Sequence, residues 1–272
     1  MSTDASADRA ASKDARIIAV VNQKGGVGKT TSVVNIGAGL ALRGRKVLLV
    51  DLDAQAHLTY SLGIKADELE ATVYDLLNEE AAVEEVLIEK GGVAVIPSSV
   101  SLTGAEFELS GVAGREALLK NVLAGISGYD FILLDCPPNL GLLTLNALTA
   151  AKEVFVPLQA EYLAIKGLNN LREMAGKVKE RLNAGLEITG VLVTLFDQRL
   201  KLYQEVLESL RAQIGDELFE TVIRRNVALA EATSFGQSIF EYAPHSKGAE
   251  DYRALCEEIL GRGPKNVEEK TA

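Results

Sequence analysis

The stretch that decides the fold reads Gln23-Lys24-Gly25-Gly26-Val27-Gly28-Lys29-Thr30-Thr31, and it follows the apolar run Ile17-Ile18-Ala19-Val20-Val21. A glycine-rich turn between a buried strand and a helix forms a phosphate cradle, because its backbone N–H groups and the helix N-terminus attract anionic oxygens. We expect Lys29 to reach the β- and γ-phosphates of a nucleotide and Thr30 to bring a hydroxyl to Mg²⁺. Residues 24–31 are the predicted nucleotide-binding loop.

This loop departs from the standard phosphate-binding motif at its start. Gln23 stands where the standard motif has a glycine, and Lys24 adds a second lysine ahead of the glycines. Two lysines on the same phosphate oxygens would repel each other. We therefore expect Lys24 to act on a nucleotide held by another subunit, and we take Lys24 and Lys29 as catalytic candidates. The alternative is a glycine-rich turn that binds nothing.

Short apolar runs alternate with longer helical patterns along the chain. This alternation predicts an α/β fold, a mostly parallel twisted sheet with helices on both faces. We assign one domain to residues 16–261, with a disordered tail at 1–15 and a flexible tail at 262–272. The predicted strands are Ile17–Asn22, Lys46–Asp51, Val93–Pro97, Phe131–Asp135, Val154–Leu158, Ile188–Leu195 and Thr221–Ile223. The predicted helices are Lys29–Arg43, Thr72–Leu77, Ala82–Glu89, Gly114–Ile126, Leu142–Ala151, Ile165–Leu182, Tyr203–Ile214 and Lys247–Leu260.

Composition excludes several classes of function. Aromatic residues make up 5% of the chain and Trp is absent, which disfavours a stacking platform for single-stranded nucleic acid. The net charge of −10 argues against tight DNA binding by the whole surface, although it leaves room for a local basic patch. Cys136 and Cys256 lack metal-ligand spacing and indicate a reduced, cytoplasmic protein. The sequence contains no apolar run of the roughly 18 residues that a membrane span needs.

Three carboxylates follow predicted strands, at the sheet edge where the phosphate loop also lies. Asp135 comes after four apolar residues, and a carboxylate there is costly to bury unless it serves a cation. We interpret Asp135 as the acid that holds Mg²⁺ through water, with a turn or helix N-cap as the alternative. Asp51 and Asp53 share one face of an extended strand. We expect Asp51 to tie the phosphate loop to its neighbouring strand; Asp53 is either a catalytic residue or a turn residue.

The motif Lys-Gly-Gly-Val-Gly-Lys-Thr-Thr resembles the deviant Walker A signature of the ParA/MinD family of ATPases. The resemblance runs from about Ile17 to Leu260 and is greatest to the small chromosomal (Soj-type) ParA proteins. Further segments that carry it are 128–138, 140–148, 157–162, 221–227 and 246–249. It implies an ATPase with ATP and Mg²⁺ as cofactors. It also implies that Lys24 acts in trans in an ATP-sandwich homodimer and that Asp53 orients the attacking water.

The same resemblance assigns the adenine and DNA contacts. Asn226 matches an asparagine beside the adenine, and Arg224 replaces the proline two residues before it, so both are nucleotide-binding candidates. The ATP dimer of this subgroup binds double-stranded DNA without sequence preference through surface arginines, one of which matches Arg199. Another commonly stands at position 228, where this chain has Ala. The candidate DNA patch is Arg199, Lys201, Arg224, Arg225 and Lys247. For each of these residues, a solvated surface charge is the alternative.

The resemblance implies a cytoplasmic, nucleoid-associated protein that segregates chromosome or plasmid DNA with a ParB-like partner, which stimulates hydrolysis. Three alternatives remain. A ParA-like ATPase could position a cargo other than DNA. A MinD-like membrane switch would need a basic amphipathic C-terminus, and residues 263–272 present no apolar stripe. An iron–sulfur relative such as the nitrogenase iron protein would need two cysteines at the dimer axis, which Cys136 and Cys256 do not fit.

Overall fold

One sheet runs through the computed structural model, which describes residues 15–161 and 164–262. Within these residues the sheet has seven strands in the spatial order β3-β4-β2-β5-β1-β6-β7. The pairing is parallel everywhere except between β3 and β4. The strands are β1 Arg16–Val20, β2 Val47–Asp51, β3 Ile88–Lys90, β4 Val93–Ile96, β5 Phe131–Asp135, β6 Glu153–Gln159 and β7 Glu187–Thr194.

Helices connect the strands. In the described part of the chain they are α1 Lys29–Ala41, α2 His57–Ser61, α3 Val73–Leu77, α4 Val83–Val86, α5 Leu102–Glu108, α6 Leu118–Ala124, α7 Leu142–Ala150, α8 Ala164–Arg181, α9 Lys201–Ile214, α10 Val227–Ser234, α11 Ile239–Tyr242 and α12 Lys247–Gly261. Short 3₁₀ turns lie at Ala66–Glu68, Leu109–Gly111, Arg115–Ala117 and Gly215–Glu217.

The sheet separates two hydrophobic cores. Alternate side chains of one strand point to opposite faces, so that Leu48 and Val50 join one core while Val47 and Leu49 join the other. The helices α3–α9 cover the first face, and α1, α2 and α10–α12 cover the second. Burial on both faces explains why the strands are continuous apolar runs. The predicted α/β fold with helices on both faces is confirmed.

Two predicted elements are wrong. The predicted helix Ala82–Glu89 ends early, and its last residues form the edge strand β3, which pairs antiparallel with β4. The predicted strand Thr221–Ile223 does not form a ladder. Phe219 N donates to Val191 O and Ile223 N donates to Val193 O. An advance of four residues along this segment therefore corresponds to an advance of only two residues along β7. The segment bulges away from the sheet, and Thr221 N bonds the carboxylate of Glu258 instead.

The ends of the chain fall largely outside the described residues. Of the two predicted tails, the structure describes only Ala15 and Arg262, so the tail assignments stay predictions. The Arg262 guanidinium donates to the carbonyl oxygens of Asp216 and Leu218 and lies over the Phe219 ring. Among the residues that the structure describes, no helix combines the length and apolar character that crossing a membrane requires.

Candidate active site

The predicted phosphate loop joins β1 to α1, and neighbouring strand ends hold it in shape. Gly26 and Gly28 have φ values of 72° and 83°, in the left-handed region that favours glycine. The Thr194 hydroxyl lies 2.8 Å from the carbonyl oxygen of Val27, and Gln159 Nε2 donates to the carbonyl oxygen of Gly26 at 3.1 Å. These bonds leave the backbone N–H groups at the start of α1 facing the edge of the sheet, as an anion site requires.

The two lysines of the loop occupy different environments. Lys29 is 8% exposed, and burial lowers the pKa of its ammonium, while the charges of Asp135 and Asp53 oppose that shift. Lys29 Nζ has a long contact, 3.4 Å, with the carbonyl oxygen of Lys24. The Lys24 side chain is 53% exposed, and its Nζ lies 2.6 Å from Glu161 Oε2 on the surface. Only Lys29 therefore lies inside the cradle.

The predicted metal ligands are in contact. Thr30 Oγ1 donates to Asp135 Oδ2 at 2.7 Å, and Asp135 is 1% exposed. Asp135 Oδ1 is buried and has no hydrogen-bond partner among the described residues. Burial, followed by the charge of Asp51, raises the pKa of the Asp135 carboxyl well above its ordinary value. A hydroxyl beside a buried carboxylate with an unused oxygen fits Mg²⁺, which prefers oxygen ligands and retains water.

The structure separates the roles of Asp51 and Asp53. Asp51 is fully buried, and its two oxygens accept hydrogen bonds from Asp53 N and from the N–H and hydroxyl of Thr59. The prediction that Asp51 ties down the phosphate loop is wrong, because its carboxylate holds the segment after β2 instead. Asp53 is half-buried, and its Oδ1 accepts from Gln55 N at 3.0 Å, which is also the contact of a turn residue.

Asn226 and Arg224, the candidates for the adenine side, lie before α10. Asn226 is the N-cap of α10, where its Oδ1 accepts from Ala228 N at 2.9 Å. Arg224 pairs instead with two carboxylates of α12. Its Nη2 lies 2.6 Å from Asp251 Oδ1 and 3.1 Å from Glu250 Oε2. The roles of Arg224 in nucleotide and DNA binding stay predictions, and either one requires its release from these two carboxylates.

The five DNA-binding candidates fall into two groups. A bridge between Phe196 and Arg224 brings the loop after β7 beside residues 224–226, so the exposed Arg199, Lys201 and Arg225 share one corner of the molecule. Arg199 is paired with Asp197 at 2.6 Å, although its own side chain is 84% exposed. The second group consists of Arg224 and the exposed Lys247, whose carbonyl oxygen accepts from Arg224 Nη2 at 3.3 Å.

Several residues that support the loop were not predicted from the sequence. Asn22 Nδ2 donates to the Pro157 carbonyl oxygen, and its Oδ1 accepts from Lys24 N. Gln159 and Thr194 bond the loop from the ends of β6 and β7. Their common feature is a polar residue at or just after the carboxyl end of a strand. The sequence offers that signal, but it does not say which backbone atom each side chain reaches.

The chain is similar to known proteins over most of its length. A family model described as an AAA domain matches residues 15–188. The chain is 47% identical over 250 residues to the chromosome-partitioning ATPase Soj of Treponema pallidum (strain Nichols), covering 91% of this chain and 98% of that protein. It is 46% identical over 251 residues to the sporulation initiation inhibitor protein Soj of Bacillus subtilis (strain 168), covering 91% and 99%. The chain belongs to the ParA/MinD family of ATPases. Within that family it is of the Soj type, as the sequence predicts.

Solved structures agree with this assignment. Cobyrinic acid a,c-diamide synthase from Mycobacterium smegmatis, solved with ADP and magnesium, superposes with a TM-score of 0.81 at 39% identity, over 90% of this chain and 94% of that one. Membership of the ParA/MinD family confirms the prediction of a P-loop ATPase. The ligands of the Mycobacterium structure agree with ATP and Mg²⁺ as the predicted cofactors.

Proposed function

We propose that this protein is a partition switch driven by ATP and Mg²⁺. ATP closes two copies of the chain into a homodimer, and the closed dimer binds double-stranded DNA without sequence preference. A ParB-like partner stimulates hydrolysis, and the dimer then separates. The protein is cytoplasmic and associates with the nucleoid. The partition role is supported by relatives named for chromosome partitioning that align with nearly the whole chain.

The position of Lys24 is the observation that carries this proposal. Its ammonium lies outside the cradle, paired with Glu161 at 2.6 Å, while Lys29 is buried inside. The two amines therefore need not compete for the same phosphate oxygens. An exposed lysine at the rim of a nucleotide site can reach the phosphates of a facing copy, and that contact would couple dimer closure to the presence of ATP.

Gly25 supports the dimer independently. A Cβ at this position would meet no atom of the described residues within 4 Å, and its backbone does not lie in the left-handed region that glycine alone adopts easily. In the described part of the monomer, neither steric contact nor backbone conformation therefore requires glycine here. Close approach of a second subunit to the loop does, because a side chain at position 25 would stand between the two copies.

Within each site, hydrolysis would depend on charge stabilisation and positioning. Lys29 neutralises the β- and γ-phosphates, and Lys24 of the facing copy adds a second cation. Thr30 and Asp135 hold Mg²⁺. Asp53 orients the attacking water from the loop after β2. Asn226 borders the adenine while it caps α10.

The proposed DNA patch centres on Arg199, Lys201 and Arg225. The chain as a whole carries a net charge of −10, so attraction to phosphate must come from a local cluster of cations. Dimerisation doubles this cluster, which would make DNA binding depend on ATP. Because Ala228 leaves one family position without an arginine, the three exposed cations near the bridge between Phe196 and Arg224 would supply most of the contacts.

The dimer is tested by size-exclusion chromatography with light scattering in the presence of a slowly hydrolysed ATP analogue. Lys24→Ala and Gly25→Val should bind the analogue as monomers, whereas the wild type should elute as a dimer. Lys177→Ala is the matched control, because Lys177 is an exposed lysine on α8 paired with Glu173 at 2.7 Å. Normal dimers of Lys24→Ala would refute the trans role of this lysine.

DNA binding is tested by retardation of a duplex with ATP, with ADP and without nucleotide. Two subunits that together contact about 4–8 phosphates should give a log–log salt slope of roughly −4 to −7. Arg199→Glu or Arg225→Glu should weaken binding and make the slope shallower while basal ATP hydrolysis is unchanged. Arg211→Glu is the matched control. Arg211 is an exposed arginine that pairs with Glu220, and it lies ten residues after Lys201 on α9, about 15 Å further along the helix. If the ATP dimer retards no duplex at low salt, a cargo other than DNA becomes the better account.

A further inference from the structure

Behind Asp53 lies a buried chain of hydrogen bonds that runs across three segments of the protein. Asp51, the last residue of β2, accepts Asp53 N at 3.1 Å with one oxygen. Its other oxygen accepts the N–H of Thr59 at 3.0 Å and the Thr59 hydroxyl at 2.8 Å. The same hydroxyl accepts Ser98 N at 3.0 Å, at the end of β4. Asp51, Thr59 and Ser98 are all fully buried.

The hydroxyl of Thr59 is the central link of this chain. It donates its proton to the carboxylate and receives the Ser98 N–H, so it must be a donor and an acceptor at once. Valine has the same shape and can do neither. With Val at this position, Asp51 would lose a charge-assisted hydrogen bond, and a buried N–H would lose its acceptor. The Asp51 carboxylate would then be free to shift, and with it the Asp53 backbone.

We propose that Thr59 is a positioning residue for ATP hydrolysis, which acts through Asp51 to hold Asp53 in its working place. This inference rests on the proposed role of Asp53 as the residue that orients water. No hydrogen bond in the described structure joins Thr59 to the loop 24–31 or to the candidate ligands Thr30 and Asp135. Asp51 does stand opposite Asp135 in the sheet, but the bond lost with the hydroxyl holds the segment that carries Asp53. Loss of the hydroxyl should therefore lower kcat much more than it changes ATP binding or KM.

The test compares Thr59→Val with Thr59→Ser and with a matched control. The control is Thr149→Val, because Thr149 is also buried and donates its hydroxyl, at 2.8 Å, to a carbonyl oxygen within α7. We expect Thr59→Val to lose about 10- to 100-fold in kcat, the effect of one hydrogen bond to a charged group, with KM within twofold of wild type. Thr59→Ser should retain at least a third of kcat, and Thr149→Val should retain nearly all of it.

A double variant separates this mechanism from a general loss of structure. If Thr59 acts through Asp51, then Asp51→Asn combined with Thr59→Val should fall no further in kcat than the more damaging single variant. Ser98→Ala should leave kcat unchanged. The hydrogen bond to Thr59 comes from the Ser98 backbone N–H, and the Ser98 hydroxyl has no partner among the described residues. Fully additive losses in the double variant would overturn the proposal.

The outcomes are distinct. Wild-type kcat in Thr59→Val, or an equal loss in Thr59→Ser, overturns the role of the hydroxyl. A parallel change in KM, or a failure of Thr59→Val to bind the ATP analogue, points to structural damage, and Asp51→Asn with the double variant then decides. Asp53→Ala distinguishes failure of the proposed role of Asp53 from failure of the inference about Thr59. If Asp53→Ala hydrolyses ATP normally, the proposed role of Asp53 fails. If Asp53→Ala is inactive and Thr59→Val is normal, only the present inference fails.

Discussion

Asp135 offers a prediction in which stability and function move in opposite directions. Its carboxylate is buried, one oxygen has no partner among the described residues, and Asp51 stands opposite it in the pairing of β2 with β5. Burial and the neighbouring carboxylate raise its pKa. We expect Asp135→Asn to stabilise the metal-free protein, because the amide removes the charge and its oxygen can still accept from Thr30.

The size of the gain follows from the buried charge. A buried group that lacks its full set of partners costs about 1–3 kcal/mol, and more when it is charged, so the neutral amide should recover part of that cost. In a domain of this size, each kcal/mol raises Tm by roughly 2–4 °C, so Asp135→Asn should melt several degrees above wild type. The sign of the pH dependence is also set. A carboxyl with a raised folded pKa favours folding at low pH and loses that contribution as pH rises, so the gain should be larger at pH 8 than at pH 5.

Thermal denaturation with EDTA at pH 5 and pH 8 measures this gain, with the exposed Asp216→Asn as the control. Addition of ATP and Mg²⁺ should raise Tm of the wild type and leave Asp135→Asn nearly unchanged, because the variant lacks the charge that holds the ion. A variant that melts at or below wild type in EDTA at pH 8 would show that the charge of the Asp135 carboxylate is already compensated, and our reasoning from its burial beside Asp51 would be refuted.

Three further predictions test the loop, the chemistry and the core. Lys29→Ala should lose affinity for a slowly hydrolysed ATP analogue by isothermal titration calorimetry; affinity within threefold of wild type would exclude Lys29 as the main phosphate cation. Asp53→Ala should bind ATP, dimerise and hold DNA longer than wild type by surface plasmon resonance, because the carboxylate acts on water and not on the nucleotide; unchanged hydrolysis would exclude it from the chemistry. Gly190→Ala should cost about 1–3 kcal/mol in urea denaturation, because the added methyl group would overlap the Phe219 and Phe155 rings; an unchanged midpoint would show that these rings can move aside.

Much of the site could be predicted from the sequence, because its residues follow from local patterns. An apolar run followed by a glycine-rich turn predicts a strand, a loop and a helix, and the structure has β1, the loop and α1 in that order. Asp135 follows an apolar run at a strand end in the same way. Parallel strands bring such ends to one edge, and this rule alone places Thr30 beside Asp135.

The parts that could not be predicted depend on contacts between distant segments. The strand β3 exists because β4 offers it an edge, and its three residues carry little pattern of their own. The segment 221–223 has the composition of a strand, but Glu258 on α12 captures its backbone. The sequence suggests that Arg224 is a surface cation, whereas in the fold α12 brings Asp251 and Glu250 into contact with it. In each case a residue more than twenty positions away, or an edge formed by another strand, determines the outcome.

Asp51 and Asp135 show what the structure adds at the site itself. Both are buried aspartates at the carboxyl ends of neighbouring strands, and they stand opposite each other in the register. Three donors from Asp53 and Thr59 engage both oxygens of Asp51 and fill three of its roughly four acceptor sites, whereas Asp135 receives one bond from Thr30 and keeps one oxygen without a partner among the described residues. A carboxylate with both oxygens engaged can position backbone but has little capacity left for a cation. The difference in hydrogen bonding therefore favours Asp135 as the proposed Mg²⁺ ligand and gives Asp51 the support of the segment that carries Asp53. The sequence alone does not reveal this difference, because both residues are aspartates at equivalent strand ends.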